Sequence, residues 1–287
     1  TFKLYHTREI FMAPVLLTDP AQILELVEEQ HRQGKRVGLV PTMGALHAGH
    51  LSLVQQSNID TDFTVVTIFV NPTQFGADED LEKYPQDLDL DIRQLSTHNV
   101  DAIFAPTRET MYPPGSSTSI LPPEVAKPFE GQLRPGHFEG VATIVLKLFN
   151  LIPANVAFFG QKDYQQTRVI GQMIEDLNIP IEIKICPVIR EPDGLALSSR
   201  NAYLSPAERE QAVALSKALF QIESLVQEGQ RDCAELLMAA KKILADASIH
   251  EIDYVALVDK QNLSPVRQVH SNAIAMAAVY IGGTRLI

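Results

Sequence analysis

Apolar residues along the chain fall into two alternating rhythms, short continuous runs and stripes at helical spacing. Asp19-Pro20-Ala21-Gln22 opens the first stripe, with Asp19 as N-cap, Pro20 at the first helical position and Gln22 placed to close a capping box. Ile23, Leu24 and Val27 give its buried face, and Gly34 ends it. Val37 to Val40 is then a short apolar run of the kind that a buried parallel strand carries. The same rhythm predicts a helix from about His47 through Leu51, Leu53 and Val54, then a long β-branched strand from Phe63 to Val70. It continues with helix Leu88 to Thr97, strand Val100 to Ala105, helix Gly140 to Leu151, strand Val156 to Phe159, helix Tyr164 to Leu177 and strand Ile181 to Val188. Strands alternating with helices imply an α/β fold with a parallel sheet.

The rhythm breaks between Pro106 and His137, where Pro113, Pro114, Gly115, Pro122, Pro123, Pro128 and Pro135 gather. So long an irregular stretch inside a compact domain reads as a lid or functional loop. After Ile189 the pattern changes character. Ser205-Pro206-Ala207-Glu208 is a capping box opening a long helix to about Glu228, and Asp232 with Glu235 opens another to about Ala247. Strand-like runs follow at Asp253 to Val258, Val266 to Val269 and Ala273 to Ile281. The expected organisation is a larger α/β domain, 1–189, followed by a smaller α+β domain, 190–287, with a short antiparallel sheet.

Length supports that division, since 287 residues at about 150 per domain make two. Composition is near the globular average, with 45% hydrophobic and 21% charged residues, which argues against disorder and fibrous architectures. The net charge of −11 opposes association with nucleic acid or anionic membranes, so neither is an expected partner. Cys186 and Cys233 lie far apart and form no CxxC pair, which fits a reducing cytoplasm and offers no structural zinc site. The longest apolar run, Ala273 to Ile281, is too short to span a bilayer, and the charged start Thr1 to Met12 lacks a signal-peptide core. An acidic chain that binds an anion must then concentrate its positive charge locally.

Pro41-Thr42-Met43-Gly44-Ala45-Leu46-His47-Ala48-Gly49-His50 sits where the first clear strand hands over to a helix, the place where open parallel sheets bind ligands. His47 and His50, three apart, share a face in the first helical turn, beside free backbone N–H groups and the positive end of the dipole. Gly44 would allow the turn, and Gly49 would let a base or phosphate approach the backbone. The spacing also suits a metal, but no HExxH pattern and no third local ligand accompany it. The arrangement suits a nucleotide triphosphate. HxGH after a strand and Met-Gly resembles the HIGH-type nucleotidyltransferases, a Rossmann-like group that splits ATP between its α and β phosphates.

Lys162 supplies a cation at another strand-to-helix junction, and Ser198, Ser199 and Arg200 follow the domain junction with hydroxyls and a guanidinium able to hold phosphate oxygens. Gln74 and Gln166 offer neutral amides for the hydroxyl and carboxylate groups of a small polar acid. Five stretches occur together: PTMGALHAGHLSL from Pro41, FVNPTQF from Phe69, RPGHFEGV from Arg134, FGQKDYQQ from Phe159 and DGLALSSRNAYL from Asp193. In that order they resemble the pantothenate synthetase family, from about Val37 to the end of the sequence.

The resemblance implies a ligase that joins pantoate to β-alanine with ATP. It assigns ATP contacts to Met43, Gly44, Ala45, Leu46, His47, Ala48, Gly49 and His50, with His50 as proton donor and His47 its partner on the phosphates. Gly160, Gln161, Lys162, Asp163, Ile189, Leu197, Ser198, Ser199 and Arg200 would complete the ATP site. Pro41, Asn71, Gln74 and Gln166 would hold pantoate, with β-alanine arriving beside Gln74. Mg²⁺ would accompany the phosphates, with Asp91 a contributor through the ion or its waters. Gln161 stands where the family often has Glu, and Thr1 to Met12 is an extension before the usual start. A homodimer is implied, with the Phe63 to Val70 strand region as its apolar support.

A carboxylate must be activated before an amine can displace its oxygen, so the implied route is a pantoyl adenylate with pyrophosphate release, then aminolysis with release of AMP. His47, His50, Lys162, Ser198, Ser199 and Arg200 would face the charge that grows on the leaving pyrophosphate. The segment before His137 would shield the adenylate from water. Two other readings compete. A transferase making a dinucleotide cofactor would need extra cations for an acceptor phosphate, and a nucleotide-binding regulator would not need the intact His47, His50, Lys162 and Arg200 set.

Overall fold

The computed structural model describes residues 13–77 and 79–287; the Thr1 to Met12 extension lies outside them. Strand β1 (Val15–Leu17) and helix α1 (Pro20–Arg32) lead into strand β2 (Val37–Thr42), helix α2 (Ala48–Asp60) and strand β3 (Phe63–Ile68). Helix α3 (Leu88–Leu95), strand β4 (Ala102–Phe104) and the short helices α4 (Arg108–Met111) and α5 (Glu130–Leu133) follow. Helix α6 (His137–Leu151), strand β5 (Val156–Gly160), helix α7 (Tyr164–Asp176) and strand β6 (Glu182–Cys186) complete the first sheet. Its six strands are all parallel, in the order β1-β4-β3-β2-β5-β6. The chain therefore starts its double winding at β2 and reverses direction between β2 and β5, the arrangement of a Rossmann-like sheet. Helices on the two faces bury separate apolar clusters, one around Leu39, Phe104 and Ile170, the other around Val40, Ile103 and Phe158.

Helices α8 (Pro206–Gln227) and α9 (Cys233–Asp246) pack on a second sheet of β7 (Ile252–Asp259), β8 (Ala273–Ile281) and β9 (Thr284–Leu286), antiparallel throughout. Their core is distinct, running from Leu195 through Leu236 and Leu244 to Leu286. The capping boxes behave unequally. Ser205 and Glu208 bond reciprocally as expected, whereas Asp19 accepts from the Ala21 and Gln22 N–H groups, and Gln22 contributes its backbone rather than a returning side chain.

Four elements depart from the sequence pattern. Val266 to Val269 forms no strand; its backbone pairs only through isolated bridges at Pro265 and Gln268, while Val266 and Val269 pack on the second core. β1 escapes notice because it is a three-residue edge strand with exposed Val15 and Leu16. β9 lies beyond a two-residue Gly282-Gly283 turn, a hairpin signal that ends the long apolar run. α6 begins at His137, one turn earlier than its apolar stripe, because Gly136 caps it in a left-handed conformation. The β3 strand is paired on both sides and buried along its length, so it carries no surface for a second subunit.

Gly140 joins the fold to the chemistry. A Cβ there would lie 2.6 Å from the Gln74 backbone nitrogen and closer still to the Thr73 carbonyl. The α6 helix thus presses against the turn that carries Gln74. Gly140→Ala is expected to destabilise the protein by about 1–3 kcal/mol through overpacking, read from urea midpoints; an unchanged midpoint would mean that this contact relaxes freely.

Candidate active site

The carboxyl ends of β2 and β5 open onto a cavity of about 240 Å³ at the point where the winding reverses. Pro41, Met43, His47, Gly49, His50, Asn71, Gln74, Gly160, Lys162, Asp163, Gln166, Ile189, Leu197, Ser198, Ser199 and Arg200 all line it. Residues expected from four of the five quoted stretches, together with Ile189, thus converge. Gly44, Ala45, Leu46, Ala48 and Gln161 do not reach its wall. Gly44 and Leu46 are buried, Ala48 faces solvent, and Gln161 is exposed on the rim of a second cavity of about 1340 Å³. The two cavities share Arg134, His137, Lys162, Asp163, Gln166, Ser198 and Arg200.

The turn before α2 is tightly held. Gly44 and Ala45 both take positive φ, 81° and 49°. Asp91, 2% exposed, accepts the N–H groups of Ala45 at 3.1 Å and Leu46 at 2.9 Å. Burial raises the pKa of Asp91 and these two bonds oppose the rise. Its oxygens therefore serve the backbone, which corrects the expectation that Asp91 assists a metal ion.

His47 is the N-cap of α2. Its Nδ1 accepts the Gly49 N–H at 3.1 Å, while Nδ1 of His50 accepts the His47 N–H at 3.3 Å. A Cβ on Gly49 would meet the His47 ring at 2.8 Å, so this glycine first makes room for the imidazole. The Gly44 N–H is also taken, by Thr42 Oγ1. The backbone donors expected to cradle an anion are thus largely engaged by side chains. What replaces them is imidazole N–H: with Nδ1 accepting, each neutral ring carries its proton on Nε2. Burial, the neighbouring His47 and Lys162 push His50 down to about 3, and burial with Lys162 lowers His47. In this state His50 donates a hydrogen bond rather than a proton.

After β3, Asn71 donates to Gln74 Oε1 and to the Gly140 carbonyl, and its own oxygen accepts from Thr73 and from Tyr112 Oη. Its amide is spent inside the protein, so Asn71 sets the position of Gln74. Gln74 Nε2 lies 3.1 Å from Met43 Sδ. Arg200, expected to be free for phosphate, forms a two-pronged pair with Asp80 at 2.8 and 2.9 Å. Burial works against the Asp80 charge, but the bonds and charge of Arg200 hold its pKa low. Lys162 has only a loose contact with Asp163 at 3.9 Å.

Arg134, His137 and Tyr84 also reach the cavity and had no role in the sequence reading. Arg134 and His137 stand at the junction of the irregular segment with α6, a polar pair beside a Pro-Gly helix start, which was the available signal. Of the irregular segment only this end reaches the cavity; Gln165 pins its centre by bonds to the carbonyls of Val125 and Pro128 and the N–H of Glu130. The neighbouring wall comes instead from Phe75 and Tyr84, whose hydroxyl lies 3.3 Å from Ser199 Oγ.

A Rossmann-like sheet with an HxGH turn at its switch point defines the HIGH-type nucleotidyltransferase class. Comparison narrows this: a model of the pantoate–β-alanine ligase family matches residues 15–287, and the chain belongs to that family. A pantothenate synthetase from Sulfurihydrogenibium sp. is 48% identical over 273 residues, covering 95% of this chain and 98% of its own. The crystal structure of the Thermus thermophilus enzyme superposes with a TM-score of 0.90 at 40% identity, covering 94% of this chain and 96% of its own. The Francisella tularensis ligase, complexed with β-γ ATP and β-alanine, gives a TM-score of 0.78 at 36% identity, covering 96% of each chain.

His50 and His137, held at about 3 and about 4, bind fewer protons when folded than their unfolded rings, which titrate near 6.5. Their contribution to stability is therefore lost as pH falls from about 6.5 toward those values. Histidine NMR at about pH 5 is expected to find both rings neutral, and His50→Gln should flatten part of the acid loss of stability. Charged rings at that pH would contradict the buried environment.

Proposed function

We propose that the small cavity holds pantoate, that ATP enters from the larger one, and that ligation runs through a pantoyl adenylate. As a family member the chain is an ATP-dependent ligase of pantoate and β-alanine. The observation that carries the assignment of the small cavity is its mixed lining. Val141, Ile144, Val145 and Leu148 of α6 contribute apolar surface to the lining, and Gln74, Gln166 and the two imidazoles contribute hydrogen-bonding groups. A branched acid with hydroxyls and one carboxylate matches both. About 240 Å³ suits such an acid and is too small for a nucleotide triphosphate as well, which favours the shared boundary with the larger cavity for ATP.

In the first step the pantoate carboxylate attacks the α-phosphorus, forming a carboxyl–phosphate bond as the α–β anhydride bond breaks and pyrophosphate leaves. Lys162 and the Nε2–H groups of His47 and His50 meet that charge, with Ser198, Ser199 and Arg200 on the other side. Approach of the phosphates favours charged imidazole, so the pKa of His50 rises as the ligand arrives. In the second step the neutral amine of β-alanine attacks the acyl carbon, the C–N bond forms as the acyl C–O bond breaks, AMP leaves with the carboxyl–phosphate oxygen, and the amine's surplus proton passes to solvent. Gln74 and Gln166 hold the acid in line for both attacks.

Among the described residues no cluster of three His, Cys, Asp or Glu side chains could hold a metal ion. Mg²⁺ fits this site as part of the co-substrate, on phosphate oxygens and waters. We assign two domains joined at Ile189–Arg190, between Cys186, the last residue of the first sheet's cores, and Leu195, the first of the second core. A homodimer is proposed from family membership, with the exposed β1 edge as the candidate surface rather than β3. Among the described residues no helix is long and apolar enough to cross a membrane, and the two unpaired thiols support a cytoplasmic setting.

Protein supplied with ATP, Mg²⁺ and pantoate should release pyrophosphate in a single turnover, and AMP should accumulate catalytically only once β-alanine is added. Turnover with nicotinamide mononucleotide in place of pantoate would overturn the assignment. Lys162→Ala should slow the pyrophosphate burst by about 10²-fold or more while pantoate affinity is retained; an undiminished burst would remove Lys162 from the first step.

A further inference from the structure

A polar network on the wall of the larger cavity joins the second sheet to Gln74. Arg285 on β9 donates two parallel bonds to Glu130, at 2.7 and 2.8 Å, and a third to Asp253 on β7 at 2.7 Å. Tyr254 Oη donates to the same Glu130 carboxylate at 2.6 Å. Glu130 is 6% exposed and sits at the start of α5, next to Phe129 with its positive φ of 51°. Burial opposes the charges of both Glu130 and Arg285, yet their mutual bonds outweigh it, lowering the pKa of the acid and raising that of the base.

From Glu130 the network continues through an ion pair to Arg134, whose backbone N–H also donates to the Glu130 carbonyl at 2.8 Å. Glu130 lies 3.7 Å from Arg134, one turn further along, and the Arg134 fork is fixed on Glu79 at 2.6 and 2.7 Å. The remaining Arg134 nitrogen contacts His137 Nε2 at 3.1 Å. Since guanidinium can only donate, Nε2 must accept, and the proton of the neutral ring resides on Nδ1. That Nδ1–H donates to the Gln74 carbonyl at 2.8 Å. Apart from the Glu130–Arg134 ion pair, every side-chain step is a directional bond, and the last fixes the backbone that carries the Gln74 amide into the small cavity.

We propose that Arg285 and Glu130 are positioning residues for the acid-binding end of the site, acting through Arg134 and His137 on Gln74. Docking of the second sheet would then set the pantoate geometry, although Arg285 belongs to the part of the chain furthest in sequence from Gln74. The inference rests on the reading of Gln74 as a pantoate ligand.

Arg285→Lys keeps the charge and loses the planar fork, while Glu130→Gln keeps the shape and loses the charge. Each is compared with the parent protein by thermal melting and steady-state kinetics. The expected result for both is a pantoate KM raised about five- to tenfold with ATP KM within about twofold of the parent. In a Gln74→Ala background, Arg285→Lys should raise the pantoate KM no further. An unchanged pantoate KM, an equal rise for ATP, or a full additive rise in the Gln74→Ala background would each overturn the relay. Gln74→Ala raising the pantoate KM while Arg285→Lys does not would remove the relay and keep Gln74 as a ligand. If Gln74→Ala leaves the pantoate KM unchanged, that reading falls and the relay falls with it.

Discussion

Reciprocal capping at the start of α2 occupies the Nδ1 atoms of His47 and His50 with backbone N–H groups and leaves Nε2–H as the donor on each ring. The two rings pack 4.1 Å apart. Two imidazolium ions at that distance, beside Lys162, would repel strongly, and burial compounds the cost. The pair is therefore built to stay neutral until an anion arrives. Gly49, Asp91 and the left-handed Gly44-Ala45 turn all serve that arrangement, one by clearing space for the ring and the others by holding the turn that delivers it.

Neutral histidines leave the positive potential to other groups, and here the acidic character of the chain becomes local. Arg134 is paired with Glu79, Arg200 with Asp80, and Arg285 with Glu130 and Asp253. Two of these pairs line both cavities through their arginines. An incoming anion must therefore compete with a fixed carboxylate for each of those guanidinium groups. Lys162 alone among the expected phosphate cations has no close partner among the described residues, at 3.9 Å from Asp163. Compensated arginines keep the ligand-free protein stable at little electrostatic cost, and under the proposed assignment the unbalanced lysine would supply the initial attraction.

Much of this was legible before the structure. The central strands are buried on both faces and read as unbroken apolar runs, while the long helices announce themselves by caps such as Ser205-Glu208 and Asp232-Glu235. Short elements were not legible, because three residues of edge strand carry no periodicity. At the site, residues beside strand ends were found because ligands gather there. Hydrogen-bond destinations were not, since the path from Asp91 to Leu46 or from Asp80 to Arg200 depends on three-dimensional contact between segments far apart in sequence. For the same reason Arg134 and His137 looked like part of a recurring motif without a role.

Mechanically the lining of the small cavity has two walls, divided along a different line from its apolar and polar residues. One is made by β2, β5 and α6, whose backbones are fixed by ladders and by the close contact at Gly140. The other is made by the segment around Phe75 and Tyr84 and by Ser198 to Arg200, connected through the Tyr84–Ser199, Asp80–Arg200 and Tyr203–Lys83 contacts. Fixed walls keep reacting groups aligned, while walls built from a few polar contacts can separate at modest cost and reform around a ligand. A site that must admit a triphosphate and then exclude water needs one wall of each kind. The amide-bearing Gln74 belongs to the fixed side through Asn71, His137 and Gly140, so under the proposed assignment the acid would be held by the part of the site that does not have to move.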